Sequence, residues 1–201
     1  AQRTAPGENV ALLLPNAVAT MIAFFGLHAF GRVPAMLNFA SGAENMALAC
    51  TGAGVKLVVT SRRFVERAKL AAVVERLAQQ ATILYLEDVG ATINLADKLT
   101  GLVAPRIAAR IHRRHAPAPD APGVVLFTSG TEGAPKGVVL SHANIMSNRL
   151  QLAARIDFNP SDTVFNALPV FHSFGLTGGA LLPMLSGIRT FFYPSPLHYR
   201  I

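Results

Sequence analysis

The chain has 201 residues, of which 51% are hydrophobic and only 14% charged, which supplies a packed core and excludes a disordered tail. Eighteen Lys and Arg against eleven Asp and Glu leave a net charge of +7, a balance that attracts nucleotides, nucleic acid or anionic membranes without choosing among them. The single cysteine, Cys50, excludes an internal disulfide, and neither a CxxC pair nor a Cys/His cluster points to a metal, so a reducing, cytoplasmic compartment fits.

Short aliphatic runs alternate with longer helical patterns from the start. Residues 10–14 read as a strand, 17–30 as a helix closed by Gly31, and 33–37 as a second strand. The stretch 17–30 is interrupted by Gly26 and His28 and falls short of the ~20 residues needed to cross a bilayer, so it reads as a buried helix. Ser41 and Glu44 have the S-x-x-E spacing of a capping box, which predicts a helix from Ser41 to the glycines Gly52 and Gly54. A strand at 57–60, a single helix from Ser61 to about residue 79 and a strand at 82–86 repeat the pattern. The expected fold is α/β, with mostly parallel sheets flanked by helices.

The character changes after residue 97. Lys98, Arg106, Arg110, Arg113 and Arg114 are unrelieved by any acid before Pro117, Pro119 and Pro122 break the chain. Two readings fit: a solvated helix leading into a linker, and a basic amphipathic helix at a membrane surface with Leu102, Val103, Ile107 and Ile111 as its apolar side. No aromatic stacking platform accompanies the run, which argues against a nucleic-acid partner. The chain is expected to divide into a first α/β portion at 1–97, a basic, Pro-rich connector at 98–122 and a further α/β portion at 123–201. In that last portion strands are predicted at 124–127, 137–140, 163–167 and 189–193, with helices at 143–155 and 178–186 and the parallel alternation resumed. His142 reads as a helix-start residue and His198 as a loop residue, and neither is assigned a catalytic role.

The most informative stretch is VVLFTSGTEGAPKGVVLSH, where a buried strand enters a loop of small and hydroxylated residues and leaves as another strand. Gly130, Gly133 and Gly137 allow the backbone to approach an anion. Thr128, Ser129, Thr131 and Lys136 add hydroxyl donors and an ammonium, and Pro135 limits the loop's freedom. Lys136 is followed by Gly137 and a strand, not by the Ser/Thr and helix of a Walker A loop, which weakens a kinase or GTPase reading. An ordinary Gly-rich hairpin is the plain alternative for a loop of this composition. His172, flanked by Phe171 and Phe174 in NALPVFHSFGLTGG, is taken alone more typical of a packed histidine than of a catalyst.

The string TSGTEGAPKG resembles the signature loop of the adenylate-forming (AMP-binding, acyl-CoA synthetase-like) superfamily, and NALPVFHSFGLTGG resembles its second conserved stretch. The resemblance implies that Thr128, Ser129, Gly130, Thr131, Gly133 and Lys136 close on the phosphates of ATP, with Mg2+ assisting. It implies that Phe171, His172 and Gly175 lie at the acyl side, positioning the substrate carboxylate or gating its pocket. Glu132 departs from the threonine common in that loop, and a carboxylate beside phosphates repels them unless a cation lies between. FTSGTEGAPKGVVLSH, ALPVFHSFGLTGG, YPSPLHYRI, LLLPNA and PAMLNFASG together look like the synthetase domain of the bifunctional 2-acylglycerophosphoethanolamine acyltransferase/acyl-[acyl-carrier-protein] synthetase family.

That likeness implies activation of a long-chain fatty acid as acyl-AMP and its ligation to the thiol of acyl carrier protein. Acyl transfer to lysophospholipid belongs to the full protein of that family, as does a contact with the inner face of the plasma membrane. An acyl-CoA synthetase using coenzyme A and a non-catalytic nucleotide-binding domain are the alternatives. The opening AQRTAPGEN and the closing YPSPLHYRI read as cuts from a longer polypeptide. The superfamily's adenine, ribose and metal motifs and its catalytic lysine are expected beyond Ile201, so the fragment alone is expected to be inactive, with no catalytic or metal-binding residue of its own.

Overall fold

The computed structural model describes residues 3–113, 116–128 and 134–194, apart from the side chains of residues 105, 107 and 111. Strand β1 (Asn9–Leu12) is joined through helix α1 (Val18–Ala29) to β2 (Val33–Met36), and α2 (Ala43–Gly52) leads to β3 (Leu57–Thr60). Helices α3 (Arg62–Arg67) and α4 (Ala71–Ala78) connect β3 to β4 (Thr82–Tyr85). Then α5 (Leu86–Thr92) and α6 (Leu95–Arg113) lead into the hairpin β5 (Pro122–Thr128) and β6 (Lys136–Ser141). Helix α7 (His142–Ala153), β7 (Thr163–Asn166), α8 (Ser173–Leu176), a π-helical turn (Thr177–Leu181), α9 (Leu182–Leu185) and β8 (Arg189–Phe192) follow.

Six strands form one sheet in the order β4-β3-β1-β2-β5-β6, while β7 and β8 pair in parallel as a second sheet. The inner strands β3, β1, β2 and β5 are buried on both faces, which is why they read as continuous aliphatic runs. Alternate residues serve opposite layers. Ala11, Leu13, Ala35, Val58 and Val125 pack with Met46, Cys50, Val74 and Leu77 of α2 and α4. Val10, Leu12, Met36, Val59 and Val124 pack with Met21 and Phe24 of α1 and Ile145 of α7. The α/β architecture with a mostly parallel sheet flanked by helices is therefore as the alternation predicts.

Several local expectations are corrected. Ser41 does not cap α2: its hydroxyl donates to the Asn38 carbonyl at 2.8 Å, the N-cap is Gly42 at φ 86°, and Glu44 instead pairs with Arg76 at 3.0 Å. A capping box does form at Ser141, whose partner is Asn144. The helix predicted from Ser61 to residue 79 is two helices, broken where Lys69 takes a left-handed φ of 55°. Leu86, expected to end a strand, begins α5. Parallel pairing resumes after the prolines at β5, which lies parallel to β2, and between β7 and β8, but β6 departs from it and runs antiparallel to β5. The last helix begins at Ser173, earlier than its sequence pattern suggested. Leu102 and Val103 of α6 are exposed, while Ala104, Ala108 and His112 line a groove shared with α1 and α7. No helix among the described residues is long and apolar enough to cross a membrane. Arg114, His115 and His198 lie outside the described residues.

Glu87 ties α5 to the start of α3. Its carboxylate accepts hydrogen bonds from the Ser61 hydroxyl at 2.8 Å and from the N–H groups of Arg62 at 3.1 Å and Arg63 at 3.4 Å. Partial burial alone pushes the carboxyl up, but these donors outweigh it and hold it near 2, against an ordinary value of 4.5. A depressed carboxylate stabilises the fold above its unfolded value and loses that contribution as pH falls through its folded value. Urea unfolding is expected to show wild type losing its advantage over Glu87→Gln between pH 4.5 and about 2. An advantage constant across that window would remove Glu87 from the acid response.

Candidate active site

Strand β5 is anchored by buried Val124, Val125 and Leu126 and ends at exposed Thr128. Its cross-strand partner is Lys136, at the start of β6. Directly opposed residues of an antiparallel pair project on one face about 5 Å apart, so a hydroxyl and an ammonium stand together where the loop 129–135 leaves and rejoins the sheet. Lys136 takes part in none of the ion pairs among the described residues. Ser129, Gly130, Thr131, Glu132 and Gly133 lie outside the described residues.

The acyl-side candidates sit on the segment after β7. Phe171 is buried, with its ring edge-on to Phe39 at 5.0 Å; Phe39 meets Phe64 at 5.3 Å in turn. His172 is exposed, precedes α8 as its N-cap, and holds its ring 4.9 Å from that of Phe171. Gly175 permits a close approach that any side chain would forbid, since a Cβ there would lie 2.2 Å from the Pro169 carbonyl oxygen. Among the described residues, ring contacts join Phe171, His172 and Phe39, and no hydrogen bond or ring contact joins them to Thr128 or Lys136. The connection is through topology. Phe39 follows β2, which pairs in parallel with β5, so the aromatic group and the loop occupy the same carboxyl end of the sheet, where α/β folds place their ligands.

Two asparagines to which the sequence reading assigned no role, Asn16 in LLLPNA and Asn166 in NALPVFHSFGLTGG, hold this arrangement. Asn16, just beyond β1, donates through Nδ2 to the carbonyls of Leu168 at 2.8 Å and Tyr193 at 3.2 Å, and its Oδ1 accepts from Val170 N–H at 3.0 Å. Asn166 ends β7, donates to the Gly175 carbonyl at 3.1 Å and accepts from Leu168 N–H at 3.2 Å. Both are buried. The available signal was a lone amide in an otherwise apolar run, as in LLLPNA, which needs partners wherever it is buried. Among the described residues no group of His, Cys, Asp or Glu is arranged to hold a metal ion.

Asn16→Ala strips a partner from the buried Val170 amide and is expected to cost about 1–3 kcal/mol in denaturant unfolding. Gly175→Ala is expected to cost at least about 1 kcal/mol through overpacking. Wild-type stability in either variant would show that these contacts do not hold the acyl-side segment.

Residues 2–200 match the model of the family described as AMP-binding enzyme. Oxalate–CoA ligase of Arabidopsis thaliana is 31% identical over 182 residues, covering 90% of this chain and 34% of that protein. Long-chain-fatty-acid–CoA ligase FadD13 of Mycobacterium tuberculosis is 30% identical over 179 residues, covering 86% and 32%. This chain thus spans about a third of those relatives' length. Among solved structures, the inhibitor-bound N-terminal domain of FACL13 from Mycobacterium tuberculosis superposes with a TM-score of 0.72 at 25% identity, over 96% of this chain and 46% of that one. ATP-bound MatB from Rhodopseudomonas palustris gives 0.71 at 24%, over 96% and 36%. A six-stranded α/β sheet carrying the Gly-rich hairpin, matched from one end to the other, places the chain in the AMP-binding enzyme family.

Proposed function

We propose that this chain supplies the triphosphate-binding and acyl-side elements of an AMP-forming ligase that activates a carboxylic acid, in the finer reading a long-chain fatty acid. The observation that carries the proposal is the pairing of Thr128 with Lys136 across the base of the Gly-rich loop. In the reaction, a carboxylate oxygen attacks the α-phosphorus of ATP, the bond to pyrophosphate breaks, and acyl-AMP forms. A thiol sulfur then attacks the acyl carbonyl and AMP leaves. Lys136 and the hydroxyl of Thr128, with Ser129, Gly130, Thr131 and Gly133, orient the triphosphate and offset charge on the departing pyrophosphate. His172 and the Phe171 segment position the carboxylate, with Gly175 allowing the helix to sit close beneath. Mg2+, when bound with ATP, neutralises phosphate charge, and none of the described residues is assigned to it.

Two thiol acceptors remain in play. The likeness of YPSPLHYRI, whose residues 195–201 lie outside the described ones, supports acyl carrier protein. The relatives named CoA ligases support coenzyme A. Peripheral membrane contact belongs to the same reading, supported by α6, whose exposed Leu95, Leu99 and Leu102 are followed by exposed Arg106, Arg110 and Arg113. Sedimentation with anionic vesicles that is lost in R106E/R110E is the expected signature, and vesicle binding unchanged by those substitutions would discard it.

Fatty-acid-dependent ATP–pyrophosphate exchange tests the central proposal. The full reading frame is expected to exchange, the 201-residue chain to complete no cycle, and Lys136→Ala to reduce exchange by roughly 100-fold. Parallel thioester assays with acyl carrier protein and coenzyme A decide the acceptor. No exchange with any carboxylic acid would replace the proposal with a non-catalytic nucleotide-binding domain.

A further inference from the structure

A cavity of about 770 Å3 lies among α1, α6, α7 and α9, within the ~300–1,000 Å3 range of small-molecule sites. Phe24, Phe25, Phe30, Ile145, Leu181 and Leu185 form apolar walls, and Ala104, Ala108 and Ala143 contribute only methyl groups. Three helices each bring one histidine to it: His28 on α1, His112 on α6 and His142 on α7. None of its lining residues is acidic.

His28 is the unusual member. Its Nε2 is buried with no hydrogen-bond partner, although buried polar atoms are ordinarily paired. Its ring stands 5.2 Å from that of His142, edge to face, and 4.7 Å from that of Phe24. Burial, reinforced by His142 and His112, holds its pKa at about 4, so the ring is neutral at neutral pH and offers one donor and one acceptor nitrogen. The cavity is also remote from the phosphate loop. Its lining residues Pro119 and His142 adjoin the start of β5 and the end of β6, whereas the loop leaves from the opposite ends of these strands, about 20 Å away along β5.

From the unpaired buried nitrogen, the histidine cluster and the acid-free apolar walls, we infer that this cavity binds a straight-chain monocarboxylic acid at a site separate from the phosphate loop. The hydrocarbon chain lies against the phenylalanines, and the carboxyl group meets His28 and its neighbouring histidines. At neutral pH the acid is ionised in water, so binding takes up one proton from solvent, which lies between the carboxyl oxygen and Nε2, and no other bond changes. The inference concerns binding alone and does not depend on the activity proposed above.

The test uses the 201-residue chain with lauric acid, lauryl alcohol and butyric acid as probes, followed by NMR of methyl-labelled protein. Lauric acid is expected to bind saturably and to shift Ile145, Met146 and Leu181, with lauryl alcohol and butyric acid at least about tenfold weaker. Ala104→Phe, which fills the cavity, is expected to abolish these shifts. His28→Leu is expected to erase the preference for acid over alcohol, and His28→Gln to retain part of it; should A104F fail to fold, the His28 pair decides alone. Shifts confined to the surroundings of Phe171 and His172, non-saturable binding, or an acid preference unchanged in His28→Leu would each overturn the inference. Absence of ATP–pyrophosphate exchange would leave it untouched.

Discussion

The side-chain amide of Asn16 joins parts of the chain that share no strand pairing. It lies at the exit of β1 in the large sheet, and its partners, Leu168, Val170 and Tyr193, belong to the segments that follow β7 and β8. Removing it would leave the second sheet attached by apolar packing, which is strong and non-directional, and by the hydrogen bonds that Arg149 of α7 donates to the Ser186 hydroxyl ahead of β8. Hydrogen bonds supply the direction. With Asn16 in place the turn before Phe171 has a fixed height over the large sheet, Phe171 meets Phe39, and His172 is left at the surface beside them.

The hairpin and the aromatic segment follow different physical logics. Thr128 and Lys136 are exposed at the end of a strand pair whose hydrogen-bonded register sets their separation. Phe171 and Gly175 are buried, and what they provide is close packing. A polyanion needs mobile water displaced by fixed donors, whereas a carboxylate with an apolar tail needs a wall and one polar edge. In the proposed reading the large sheet offers both at its carboxyl end.

Most of the elements were legible in the sequence because a two-faced parallel sheet demands uninterrupted aliphatic strands separated by helices, and that periodicity survives in single residues. The direction of β6 was also available in principle. Seven residues, 129–135, are too few for a parallel crossover, which takes a dozen or more. Other features were not legible. Ser41 satisfied the spacing of a capping box, yet the turn at Asn38 captured its hydroxyl, and the same motif logic succeeded at Ser141, where the partner is an asparagine. The break at Lys69 has no glycine to announce it. At the candidate site, the Gly-rich loop was visible as a string of residue types. Asn16 and Asn166 were visible only as lone amides beside apolar residues, and their partners were not, because those are backbone groups whose identity leaves no trace in the sequence.

The π-helical turn at Thr177–Leu181 bears on how this region tolerates changes in length. Such a turn holds one residue more than the α-helical turn it replaces, so it behaves as an insertion absorbed inside a helix. Its Gly179 faces Asn166, with room for no side chain, and the buried Leu181 and Leu182 follow directly. Excising one residue here would restore a regular helix with its two flanks nearly in their present orientation, whereas an excision from a regular α-helical turn would rotate everything beyond it by about 100°. A length change taken up at the π-helical turn therefore keeps the leucine anchor in register with Gly175 and His172, while one placed in the flanking α-helical turns swings the anchor around the helix axis.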